Sequence, residues 1–161
     1  LMEWVARGYD YVGAPWIGSA ATPWRKALRD LANLFRKKKK RHEHRFKVGN
    51  GGFSLRSVPT MLRIVRELRD DIDHELAHPS EQAYHVEDQY FSLVAPRKLQ
   101  GGMNIPEWRE ALDFCIDRRP QLGLRLNGGR LPFACHGFDK RNVRKFWRPL
   151  LEKVMADSAS H

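Results

Sequence analysis

Two adjacent carboxylates, Glu87 and Asp88, stand directly against the aromatic pair Tyr90 and Phe91. An acidic side chain held beside aromatic surface is a candidate general base, able to take a proton from a hydroxyl. The same Asp88, at the start of a helical segment, is equally suited to capping that helix. A second chemical group is His136, which follows the apolar stretch Leu131 to Cys135 and precedes Gly137. An imidazole there is either a hydrogen-bonded interior side chain or a metal ligand. The third feature is Val48-Gly49-Asn50-Gly51-Gly52-Phe53-Ser54-Leu55-Arg56-Ser57. Three glycines in four positions leave backbone with little side-chain bulk, so a ligand or another strand can come close. Asn50 is among the few other residues that tolerate left-handed backbone. The stretch has no Gly-Lys-Ser/Thr and lacks the spacing of a dinucleotide fingerprint, so phosphate-loop chemistry is excluded.

Two patterns imitate metal sites. His74-Glu75-Leu76-Ala77-His78 has the His-Glu-x-x-His spacing of zinc proteases. The apolar stripe of Val65, Leu68, Ile72 and Leu76 places both histidines on the opposite, solvent side of the helix. Pro79 follows at once, His85 is one residue off the metzincin spacing, and Glu81 stands where that motif has glycine. Asp71-Ile72-Asp73 is the second imitation, and it reads as a solvated acidic face. Cys115 and Cys135 are too few for a disulfide framework or a four-cysteine zinc site.

The elements that must position these groups follow from periodicity and punctuation. Leu1 to Arg7 reads as the end of a helix stopped by Gly8, and Tyr9 to Val12 as a strand closed by Gly13 and Pro15. Trp16 just beyond is either core or an aromatic face for a sugar ring. Phe53 and Leu55 alternate with Ser54 and Arg56 as a strand with one buried face, and Ser57 is a helix N-cap. Val58, Met61, Leu62, Val65, Leu68, Ile72 and Leu76 predict one long helix ending before Pro79. Asp88 to Val94 predicts a short helix with Tyr90, Phe91 and Val94 inward. A further helix starts at Pro106-Glu107 and runs through Phe114 and Ile116. Leu122 to Arg125 and Leu131 to Cys135 read as strands around an Asn127-Gly128-Gly129 turn. Lys140 to Met155 predicts a C-terminal helix kinked at Pro149.

The whole chain, 1–161, has the length of one domain or part of a larger one. Its apolar fraction of 42%, with five Trp and eight Phe, supports a packed core. The net charge of +10 favours anionic partners, a nucleotide diphosphate among them. Much of that charge lies in Arg36 to Arg45, the heart of a basic, exposed insertion over 36–47 that follows a candidate helix at 27–35. The chain shows neither a signal-peptide pattern nor an apolar run of membrane-spanning length, which favours a cytoplasmic location.

Four blocks in order, Tyr9-Asp10-Tyr11-Val12-Gly13-Ala14-Pro15-Trp16, the glycine stretch, Glu87-Asp88-Gln89-Tyr90-Phe91 and Leu131-Pro132-Phe133-Ala134-Cys135-His136-Gly137-Phe138, together resemble an uncharacterised glycosyltransferase-like family. That family is related to the GT-A nucleotide-sugar transferases. The resemblance implies an α/β fold, a GT-A-like mixed sheet flanked by helices. It also implies that the chain is the acceptor-side part, beginning after the first nucleotide-binding strands and their Asp-x-Asp. By the same resemblance Asp88 is the catalytic base, Glu87 binds acceptor hydroxyls, and His136 is a ligand of Mn²⁺ or another divalent metal. Asn50, Gly51 and Gly52, with Trp16, are the floor where sugar donor and hydroxyl acceptor meet. The implied partners are a nucleotide-sugar donor and a carbohydrate or other hydroxyl acceptor. The rival expectation is a non-enzymatic basic module that engages nucleic acid or an anionic surface through residues 36–45.

Overall fold

The computed structural model describes residues 1–17, 45–78 and 86–158 of the chain. The helix expected at 27–35 and all of the basic insertion except Arg45, Phe46 and Lys47 lie outside the described residues.

Helix α1 (Met2–Ala6) ends before Gly8, whose φ of 66° turns the chain. Strand β1 (Tyr11–Pro15) is buried along its whole length and pairs antiparallel with β2 (Val48–Arg56). The strand thus starts two residues later than expected and runs through Gly13 and Pro15. The reason at Gly13 is the neighbouring strand: a Cβ there would lie 2.8 Å from the Asn50 carbonyl oxygen. Tyr9 and Asp10 serve as ties instead. The Tyr9 hydroxyl donates to Glu110 at 2.6 Å, and the Asp10 carboxylate accepts from the Asn104 N–H at 2.7 Å and from the Thr60 hydroxyl.

The glycine stretch is itself strand. Gly13 faces Ser54 and the next residue, Ala14, faces Asn50. Gly51, Gly52 and Phe53 therefore have no partner across the ladder and form a bulge, a device that aims backbone and side chains out of the sheet.

Ser57 caps α2 (Val58–Glu67), its hydroxyl accepting from the Thr60 N–H at 3.4 Å. The predicted long helix breaks at Leu68, where φ −109° and ψ 23° leave the helical region, and α3 (Arg69–Ala77) follows. A single stripe cannot persist through that break. Ile64 is buried with Met61, Leu68 and Ile72 packed around the same cluster, whereas Val58, Leu62, Val65 and Leu76 are exposed. Asp71 is not a solvated side chain either. It accepts from the Tyr90 hydroxyl at 2.8 Å and pairs with Lys98. His74 and His78 stack on each other, rings 4.5 Å apart, on the exposed side as expected.

Helix α4 (Glu87–Gln89) passes without a gap into a π-helical turn (Tyr90–Val94) and then α5 (Ala95–Lys98). The helical run therefore continues beyond the expected end at Val94. Tyr90 and Val94 are buried and Phe91 packs against the same cluster. Helix α6 (Trp108–Phe114) stops two residues short of Ile116, because Cys115 and Ile116 extend into β3 (Cys115–Ile116). This strand pairs in parallel with β4 (Ala134–Cys135), the core of the strand expected over Leu131 to Cys135.

The strand expected at Leu122 to Arg125 is instead helix α7 (Pro120–Leu126). Pro120 in the first turn and Asn127-Gly128-Gly129 behind the last are helix start and stop signals that outweigh the short alternation between them. Gly123 lets α7 lie on β3, since a Cβ there would come 2.5 Å from the Ile116 side chain. Helix α8 (Arg141–Ser158) contains Pro149 and buries Val143 and Trp147 against Leu112 and Ile116. Among the described residues the fold is mixed α/β, with two two-stranded sheets and surrounding helices. No described helix is long and apolar enough to cross a membrane.

Candidate functional site

The bulge in β2 is the floor of the site. Its amides are directed by side chains on both sides: Gly51 N–H donates to Asp88 Oδ2 at 3.2 Å, and Gly52 N–H donates to Asn50 Oδ1 at 3.0 Å. Space is tight at Gly51 and excludes a Cβ at Gly52 unless His136 moves. A Cβ on Gly51 would sit 3.0 Å from both Asp88 Cβ and Glu87 Oε2, and a Cβ on Gly52 would fall inside the imidazole of His136. At the strand's start Gly49 has φ +152°, and a Cβ would lie 2.5 Å from the Trp16 ring and collide with the Ser92 hydroxyl. Trp16 therefore stands against the entry of β2 at Gly49, whereas the imidazole of His136 meets the bulge at Gly52.

One wall is acidic. Glu87 and Asp88 occupy the first turn of α4, whose N-cap is Val86 with no side-chain cap, so Asp88 is not a helix cap. Its backbone carbonyl accepts from the Ser92 hydroxyl at 2.6 Å. Of its two carboxylate oxygens, Oδ2 takes the Gly51 amide, and Oδ1 is buried without a hydrogen-bond partner. Glu87 is paired with Arg56. The Arg56 guanidinium also lies over Tyr11 at 5.1 Å and Phe91 at 5.7 Å, a cation–π placement that fixes it beneath the acidic pair. The Tyr11 hydroxyl below is likewise buried, beside the Ser54 side chain. Burial pushes its pKa up to about 12; Asp88 and Glu87 push the same way, and Arg56 and a hydrogen bond with Ser54 oppose them. The neutral phenol is thus the form present at ordinary pH.

The opposite wall is built from the second sheet. His136 N–H donates to the Ile116 carbonyl at 3.0 Å, which continues the β3–β4 pairing and sets His136 beside Asp117. His136 Nδ1 lies 2.9 Å from Asp117 Oδ1, and Asp117 Oδ2 accepts from Asn50 Nδ2 at 2.6 Å. The sequence expectations missed Asp117. Its signal was slight: the apolar pair Cys115-Ile116 running into an acid, a carboxylate at a strand end. The structure brings together Asn50, Gly51, Gly52, Glu87, Asp88 and His136, and adds Asp117 and Arg56.

The fit to a divalent metal is incomplete. His136 and Asp117 are engaged with each other, and no group of three His, Cys, Asp or Glu side chains placed to hold an ion occurs among the described residues. Asn50 is engaged at both ends of its amide.

No curated protein and no solved structure matches the chain. One family does, over residues 1–136, a span that includes every residue of the site and ends on His136. The chain belongs to this family, which is described as a protein of unknown function (DUF5672).

Proposed function

We propose that the site is the acceptor side of a GT-A-like glycosyltransferase, with Asp88 as general base. The observation that carries this is the split environment of the Asp88 carboxylate. One oxygen is pinned by the Gly51 amide, and the other is buried and unpartnered beside the two glycines of the bulge. A carboxylate oxygen without a hydrogen-bond partner is suited to take a hydroxyl proton, and an unmet buried acceptor in a folded protein calls for an explanation, of which a catalytic role is one. The four sequence blocks that resemble the glycosyltransferase-like family support the same reading. So does the π-helical turn that begins at Tyr90, two residues after Asp88, a feature frequent at functional sites.

In the proposed reaction Asp88 Oδ1 accepts the acceptor's hydroxyl proton. The acceptor oxygen forms a bond to the anomeric carbon of a nucleotide-sugar. The bond from that carbon to the nucleotide's phosphate oxygen breaks, and the nucleotide leaves with the electron pair. Attack opposite the leaving group gives inversion. Glu87, held by Arg56, and the bulge glycines orient the acceptor.

The test is release of free nucleotide from UDP-, GDP- and CMP-linked sugars with hydroxyl acceptors, with and without Mn²⁺. Turnover with one donor class, abolished in Asp88→Asn while its melting temperature is kept, is the expected result. Turnover retained in Asp88→Asn, or absent with every donor, overturns the proposal.

A further inference from the structure

The hydrogen bonds on the Asp117 side of the bulge have only one consistent direction. The Gly52 amide can only donate, so the Asn50 atom facing it is the carbonyl oxygen Oδ1. That orients the Asn50 amide and turns its NH₂ toward Asp117 Oδ2, which must accept. Asp117, only 12% exposed and with the Arg118 guanidinium 3.6 Å away, is an acceptor-only carboxylate in this arrangement. Its other oxygen, Oδ1, then takes the proton of His136 Nδ1. A neutral imidazole with its proton on Nδ1 carries a lone pair on Nε2. Gly52 lies against the face of this ring at Nε2, where any side chain would displace the imidazole, and a third of the His136 side chain stays exposed.

We infer that Asn50 and Asp117 are positioning residues that fix the Nδ1–H tautomer of His136, so that Nε2, beside Gly52, is a neutral acceptor for a sugar hydroxyl. The ligand class follows from the lone pair. A neutral Nε2 without a proton accepts from a hydroxyl and offers nothing to a phosphate oxygen. Recognition of a sugar rests on the transfer reading above; the tautomer does not. Asn50 thereby acts from behind the site, through Asp117, and Gly52 leaves the space in which the imidazole ring sits.

The experiment is long-range ¹⁵N–¹H NMR of the histidine side chains in the full chain, at about pH 8, above the ordinary imidazole pKa of about 6.5. His136→Gln identifies the His136 signals by their loss. In the wild type the expected pattern is a protonated Nδ1 and a bare Nε2. Asp117→Asn gives the opposite pattern. Its carbonyl must still meet the Asn50 NH₂, so its own NH₂ faces Nδ1 and forces the proton onto Nε2. A wild-type Nε2–H tautomer, or an unchanged tautomer in a folded Asp117→Asn, overturns the inference, and the wild-type spectrum decides alone if the variant does not fold. Methyl glucopyranoside, galactopyranoside and mannopyranoside are then added in turn, with inorganic pyrophosphate as the contrasting anion. At least one glycoside is expected to move the Nε2 signal and to bind about tenfold more weakly to Asp117→Asn, as loss of a matched hydrogen bond implies. An Nε2 that no glycoside moves, or that pyrophosphate alone moves, overturns hydroxyl recognition. Repeating both readouts in Asp88→Asn, with no donor present, separates this result from any failure of the transfer chemistry.

Discussion

At the scale of single residues, the site depends on atoms that are missing. Gly51 and Gly52 matter because a methyl group at either position runs into Glu87, Asp88 or His136. Gly52→Ala is expected to push the His136 imidazole away from the bulge and to break its bond to Asp117. Transfer activity should fall at least tenfold, while stability falls by no more than roughly 1–3 kcal/mol, the usual range for a single overpacked contact. Turnover and a urea titration of the variant check this, and full activity in Gly52→Ala would remove the bulge from the mechanism. The glycines, Asn50, Asp88 and His136 were singled out by their types together with the four-block resemblance, and the structure brings them together. Asp117 was not, since it lies 67 residues from Asn50 and 19 from His136, and no local pattern announces either bond. Trp16 was visible as an aromatic, but its place against Gly49 depends on strand pairing that only the folded chain defines.

At the scale of elements, the helices were legible where caps and stops agree with the apolar period, and misread where they conflict. Ser57 starts α2 as its type predicts, whereas Leu68 interrupts the stripe that suggested one long helix. Leu122 to Arg125 shows two competing patterns, and the proline and glycines at its ends decided for helix. The contact of α3 with the 87–98 run also escaped the sequence, since Asp71 had the surroundings of a surface acid. Burial tends to raise the Asp71 pKa, but hydrogen bonds from Lys98 and Tyr90 outweigh it, and the net shift is downward. A depressed folded-state value means that the carboxylate stabilises the fold above the ordinary aspartate range. This contribution disappears as pH falls through the folded-state value. Asp71→Asn should therefore lower stability near neutral pH by roughly 1 kcal/mol. Wild type and variant should converge as the pH drops below the carboxylate range. Denaturant midpoints measured from pH 7 to pH 2 give the comparison; a constant gap across that range would show that Asp71 acts through packing rather than charge. The tie matters to the site because Tyr90 begins the π-helical turn directly after Asp88 and Gln89.

At the scale of the molecule, a net charge of +10 gives the protein a field that draws in anions of any kind. If function resides in the acidic wall and the bulge, replacing Lys37, Lys38, Lys39 and Lys40 by glutamine should leave nucleotide release within about twofold. The same change should flatten the salt dependence of binding to a nucleic-acid polyanion, whose slope scales with the number of phosphates neutralised. Filter binding over a salt series, run beside the turnover assay, separates the two behaviours. Loss of turnover with the lysines would move the functional surface to the basic run. The mixed α/β class followed from the family resemblance, but the division into two small sheets did not, because pairing partners are distant in the chain. That distance has a kinetic side. The Gly51–Asp88 bond spans 37 residues and the Asn50–Asp117 bond 67, so each closes a long loop whose entropy must be overcome before the bond forms. A chain can thus collapse and form its helices while the two walls still stand apart. Occupancy of the site then reports completion of folding, and a ligand that bridges the walls would act as a pharmacological chaperone, slowing unfolding more than it speeds collapse.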